Sequence, residues 1–212
     1  MPVQLENCLF DSGSALVLHG KKELVDADLA QLHGLTEGQR ASITTVVVSG
    51  TNITGECFRD LAFLPNLKAL YASRTRVEDD APFERLPKTM TIVNLDHTDV
   101  GDACISKLRN LSNLYLLRLR NTNVTNRGVN VLAAMPNLGE CHVDGTAVSE
   151  HATQRLLNAI ALRKVTFRMA VRFLLHFIQF ESRKFGLRVR GGKSSGLSVN
   201  LHLGSSAGRC RG

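Results

Sequence analysis

Apolar residues along this chain fall into a cassette that repeats. Ile43, Leu67, Met90, Leu114 and Leu138 each open a unit, and three residues on stand Val46, Leu70, Val93, Leu117 and Cys141. Two positions further come Val48, Ala72, Leu95, Leu119 and Val143. A threonine follows in every unit: Thr51, Thr75, Thr98, Thr122 and Thr146, spaced 24, 23, 24 and 24 residues apart. An aliphatic stands two residues beyond each, at Ile53, Val77, Val100, Val124 and Val148. A fixed period of this length is the signature of a solenoid, in which each unit buries its apolar side only against its neighbours.

The periodicity changes inside each unit. The pair Val46 and Val48 alternates, as a strand does. The series Phe58, Leu61 and Leu64, like Val129, Leu132 and Met135, steps by three, which suits a helix or a 3₁₀ turn. One strand and one short helix per unit are therefore expected. A diverged unit precedes the clear ones. Leu24, Leu29, Leu32 and Leu35 have the offsets of Ile53, Phe58, Leu61 and Leu64, with Ala15 to Leu18 as a strand one or two residues out of register. About six repeats follow from this, the first serving as an N-terminal cap.

The run from Leu114 to Thr122, Leu-Tyr-Leu-Leu-Arg-Leu-Arg-Asn-Thr, resembles the leucine-rich repeat consensus L-x-x-L-x-L-x-x-N, with threonine in the asparagine position. The resemblance covers residues 43–162. It implies an α/β solenoid with a parallel concave sheet and short helices or 3₁₀ turns on the convex side. It also implies that the threonines hold the turns after the strands, since a hydroxyl can bond local backbone groups.

In such a solenoid, residues of opposite parity to the core line the concave face in three columns. The first is Thr45, Ala69, Ile92, Leu116 and Glu140, and the second Val47, Tyr71, Asn94, Arg118 and His142. The third is Ser49, Ser73, Asp96, Arg120 and Asp144, in which Arg120 is expected to bridge Asp96 and Asp144 as a surface ion-pair ladder. The candidate partner-binding residues are Val47, Tyr71, Ile92, Asn94, Leu116, Arg118 and His142. They combine exposed apolar groups with the Tyr and Arg types enriched at binding hot spots. The alternative is that the N-terminal cap or the tail folds over this face. His142 with Glu140 and Asp144 sits on a flat, open strand with no pocket to perturb a pKa, so no catalytic residue is assigned and the chain reads as a non-enzyme.

Composition bounds the setting. The 5 cysteines are odd in number and lack metal-ligand spacing, so no metal site, disulfide framework or cofactor is expected. Cys57 and Cys104 share a column of small residues with Ala81, Gly128 and Ala152. The N-terminus has no signal-peptide pattern, and reduced thiols point to a cytoplasmic protein. Sequons at Asn52, Asn110 and Asn123 are read as chance matches.

The net charge of +7 is split. Residues 1–162 hold 15 basic and 18 acidic residues, and residues 163–212 hold 11 basic residues against Glu181 alone. Lys164, Arg168, Arg172 and His176 fall four apart, a basic stripe on an amphipathic helix over 163–185. That helix suits a C-terminal cap, a membrane- or partner-docking arm, or a non-native end. Lys164, Arg168 and Arg172 are its candidate membrane- or anion-binding residues. Residues 186–212 form a Gly/Ser/Arg tail. Its Gly192-Lys193-Ser194 lacks the first glycine of a phosphate loop, Leu187 standing there.

The expected organisation is a cap over 1–42, five repeats over 43–162, the helix and the tail. The expected function is a non-catalytic scaffold that binds another protein through its concave sheet, with no small-molecule substrate. The alternatives are a peripheral membrane or nucleic-acid binder acting through the tail, or the substrate-recognition component of a ubiquitin ligase.

Overall fold

The computed structural model describes residues 9–10, 14–165 and 169. Among these, seven strands form one sheet in sequence order: β1 (Leu9–Phe10), β2 (Ala15–Val17), β3 (Thr45–Val47), β4 (Ala69–Tyr71), β5 (Ile92–Asn94), β6 (Leu116–Arg118) and β7 (Glu140–His142). β1 is antiparallel to β2, an element absent from the sequence expectation. The six strands β2 to β7 are parallel. Parallel neighbours need a crossover, and here each crossover is the second half of a repeat.

The crossovers differ in length and composition. Between β2 and β3 lie α1 (Asp26–Leu29), a 3₁₀ turn at Ala30–Gly34 and α2 (Glu37–Ser42). Thr36 caps α2, its hydroxyl accepting from the Gln39 amide while the Gln39 side chain returns to the Thr36 amide. A 3₁₀ turn at Gly55–Cys57 runs into α3 (Phe58–Leu61) between β3 and β4. The next crossover holds only a 3₁₀ turn at Phe83–Arg85. Pro82 and Pro87 bracket it, and a proline cannot donate the bond a helix interior requires. α4 (Asp102–Leu108) and α5 (Asn126–Ala134) serve the last two crossovers, and α6 (residues 150–165) follows β7.

The core lies between sheet and crossovers. The central residue of each strand from β2 to β6, Leu16, Val46, Leu70, Val93 and Leu117, is fully buried, as are Ile53, Phe58, Leu61 and Leu64 from the returning half. The diverged first unit is part of the same core, since Leu24, Leu29 and Leu32 are equally buried. Phe58 and Phe83 pack with ring centroids 5.0 Å apart, linking successive crossovers.

The threonine ladder is structural. The hydroxyls of Thr51, Thr75, Thr98 and Thr122 each donate 2.7 Å to the carbonyl of the residue three before, and Thr146 does so at 2.6 Å. Each bond closes the turn after a strand and satisfies a carbonyl that the sheet leaves over.

The chain divides into two compact units, residues 1–163 and 164–212, and the repeats lie in the first. Most of the basic helix over 163–185, with Arg168 and Arg172, and all of the tail over 186–212 lie outside the described residues.

Candidate protein-binding face

Strand register sets the concave face. Thr45, Ala69, Ile92, Leu116 and Glu140 align across β3 to β7, and Val47, Tyr71, Asn94, Arg118 and His142 align beside them. The expected columns therefore exist as neighbours about 4.8 Å apart. The face is less exposed than expected. Val47, Tyr71, Ile92 and Leu116 are half-buried, because side chains of adjacent strands shield one another, and Ala69 is buried.

No family model and no curated protein matches the sequence. Solved structures do. One of leiomodin-1, its actin-binding site 2, aligns over 71% of this chain and 94% of that chain with a TM-score of 0.53 at 18% identity. The C-terminal domain of tropomodulin from Caenorhabditis elegans aligns over 79% of this chain and 98% of that chain at 12% identity, with a TM-score of 0.47. The fold is that of a leucine-rich repeat protein.

Charged groups on this leucine-rich repeat face pair differently from the expected ladder. Arg120 does not bridge two aspartates. Its Nε donates 2.9 Å to Asp144, and its Nη2 lies 3.1 Å from His142 Nδ1. Asp96 is taken by Arg118, whose Nε and Nη2 each lie 2.9 Å from Asp96 Oδ2, while the Arg120 backbone N–H donates to Oδ1. The reason is burial. Asp96 is 5% exposed, and the second-column arginine reaches it as a fork from the same side of the sheet. His142 also contacts Glu140, with Nε2 2.8 Å from Oε1. The Arg120 donor requires Nδ1 to accept, so Nε2 carries the proton toward Glu140.

Asn94 is 8% exposed rather than presented, and its Oδ1 accepts the Asp96 N–H at 3.0 Å. Its first role is to hold the strand end. Lys164 is helical and exposed. Among the described residues no group of His, Cys, Asp or Glu is placed to hold a metal ion, and no helix is long and apolar enough to cross a membrane.

Two structural ladders escaped sequence reasoning. The residue before each ladder threonine is left-handed: Gly50 (φ 73°), Arg74 (54°), His97 (59°), Asn121 (53°) and Gly145 (71°). Gly and Asn in that column carried the signal, since both enter this region readily. The second ladder joins helix starts. Asp102 accepts from the Thr125 and Gly128 amides at 2.9 and 3.0 Å and from the Thr125 hydroxyl at 2.6 Å. Asp79 does the same for Gly101, Ala103 and Cys104. Each carboxylate thus caps the helix of the next repeat. The signal was a polar residue four beyond the threonine, broken where Gly55 stands.

Burial pushes the thiols up. Cys141 is raised to about 12 by desolvation. Cys57 and Cys104 are raised well above the ordinary thiol value by desolvation first, with nearby carboxylates adding to it. These thiols are small core hydrophobes that stay protonated.

Proposed function

We propose that this protein is a non-catalytic binding module that takes a partner protein on its concave sheet. The observation behind this reading is two half-buried apolar pairs, Val47 with Tyr71 across β3 and β4 and Ile92 with Leu116 across β5 and β6, beside an Arg118 paired with Asp96. Side chains already fixed by their neighbours lose little entropy on binding, and a flat set of aromatic, aliphatic and arginine groups suits a protein surface. A cytoplasmic setting fits the reduced thiols this reading assumes.

The leiomodin-1 segment is described as an actin-binding site. Its likeness to this chain is one of fold, so actin is only one bait to try.

The test is capture from cell lysate, and by purified actin, using the full chain, Tyr71→Ala/Leu116→Ala, and Phe63→Ala as a control on the returning half of its repeat. Arg118→Glu is avoided because it would put a second carboxylate against buried Asp96. A partner held by the wild type and by Phe63→Ala, with affinity lowered about tenfold or more by the double variant, is the expected result. Capture that is equal for all three baits would sink the concave-face reading.

A further inference from the structure

A depression of about 400 Å³ opens at the C-terminal ends of β2 to β6. Small residues, Gly20, Ser49, Gly50 and Ser73, make room for it. Room alone is not a site, but two buried polar side chains in its wall point to a ligand. Ser49 and Asn94 are each 8% exposed. The Asn94 Oδ1 is spent on the Asp96 N–H, so its Nδ2 remains a donor, and no described group accepts from it. The Ser49 hydroxyl likewise has no partner among the described residues. Among those residues, no side-chain nitrogen or oxygen is sealed away unsatisfied. Both donors must therefore open onto the depression, where water or a ligand serves them.

Charge gives the ligand its sign. Both Asp96 oxygens are occupied, Oδ2 by Arg118 and Oδ1 by the Arg120 N–H. Arg74 lines the same depression, is exposed, and has no ion-pair partner among the described residues. It sits at φ 54°. That left-handed conformation is shared by its whole column, so the turn and not the ligand sets it. His19 and His97 complete the rim. The one carboxylate in the wall is thus engaged, and Arg74 adds a cation with no ion-pair partner among the described residues.

We propose that this depression receives the carboxylate of an Asp or Glu side chain from the partner protein, a reading that rests on the protein-binding role above. A carboxylate accepts only, with lone pairs enough for Arg74, Ser49, Ser73 and the Asn94 amide together. Asn94 and Arg118 belong both to this wall and to the second column, so a partner lying on Tyr71 and Leu116 reaches the depression without a break.

The test is an NMR titration of the ¹⁵N-labelled full chain with a blocked hexaglutamate peptide, a blocked hexaglutamine peptide, and inorganic phosphate. The Asn94 side-chain amide and the Ser49 backbone amide are expected to shift with hexaglutamate and not with hexaglutamine. In Arg74→Ala the apparent Kd should rise about tenfold or more. Equal response to hexaglutamine, a response to phosphate alone, or a titration unchanged by Arg74→Ala overturns the proposal. Tyr71→Ala/Leu116→Ala should leave this titration intact while lowering partner affinity about tenfold or more. Failure of the carboxylate site and failure of the protein-binding reading are thus seen separately.

Discussion

At the residue scale, two columns carry opposite lessons. The ladder threonines satisfy a carbonyl inside each turn at almost no conformational cost. Thr98→Val keeps the shape, loses the donor and strands the buried Leu95 carbonyl. The expected cost is about 1–3 kcal/mol in urea unfolding, read as a lowered midpoint with unchanged slope. The left-handed column runs the other way. Arg74 pays for a conformation that Gly20, Gly50 and Gly145 adopt freely. Arg74→Gly should therefore raise stability by up to about 1 kcal/mol. If hexaglutamate binding falls in the same variant, the arginine is kept for its charge and not for the fold.

At the scale of elements, the repeats are joined by more than the sheet. Asp102 reaches from the start of α4 to the first turn of α5, and Gly128 stands where a Cβ would meet Asp102 Oδ1 at 2.5 Å. Asp102→Ala removes three bonds between successive repeats at once. A loss of about 2–4 kcal/mol is expected, and hydrogen exchange should show it concentrated at the α4–α5 junction. Gly55 is constrained by packing alone, because an added Cβ would lie 2.1 Å from the Ala81 Cβ and 2.8 Å from its Cα. Backbone cannot step aside as a side-chain tip can. Gly55→Ala should cost about 1–3 kcal/mol, measurable by the same unfolding experiment. Half-buried Asn52 and exposed Asn123, seen in sequence only as chance sequons, also act between repeats, their side-chain amides donating to the Lys22 and Asp99 carbonyls.

At the scale of the molecule, one continuous apolar core runs from Leu16 to Ile160 and contains Cys57, Cys104 and Cys141. Their raised thiols link stability to pH. Each stays protonated in the fold above the pH at which it ionises in the unfolded chain. Stability is thus full below about pH 9 and falls as pH rises toward about 12, the value for Cys141. Alkaline titration followed by circular dichroism should show this fall, and a Cys141→Ala variant should lose part of it. At neutral pH these thiols should react with a thiol reagent only at the rate of unfolding.

The sequence by itself determined the solenoid, its period, its core and the three columns of the sheet. These follow from a repeat of 23 or 24 residues in which identical positions must stack on one another. It also announced the threonine turns, because a lone hydroxyl recurring after a strand has few other uses. Tertiary structure alone decided which arginine meets Asp96, that Asn94 turns inward, and that Arg74 stands unpaired beside two buried donors. Those outcomes depend on side-chain reach and burial between neighbouring strands. Each column names its neighbours but not the competition among them, and a buried carboxylate goes to whichever cation reaches it with the better fork. β1 was invisible for a related reason. Two residues of antiparallel pairing have no period to read, and only the exposed edge of β2 gave them a place to bind.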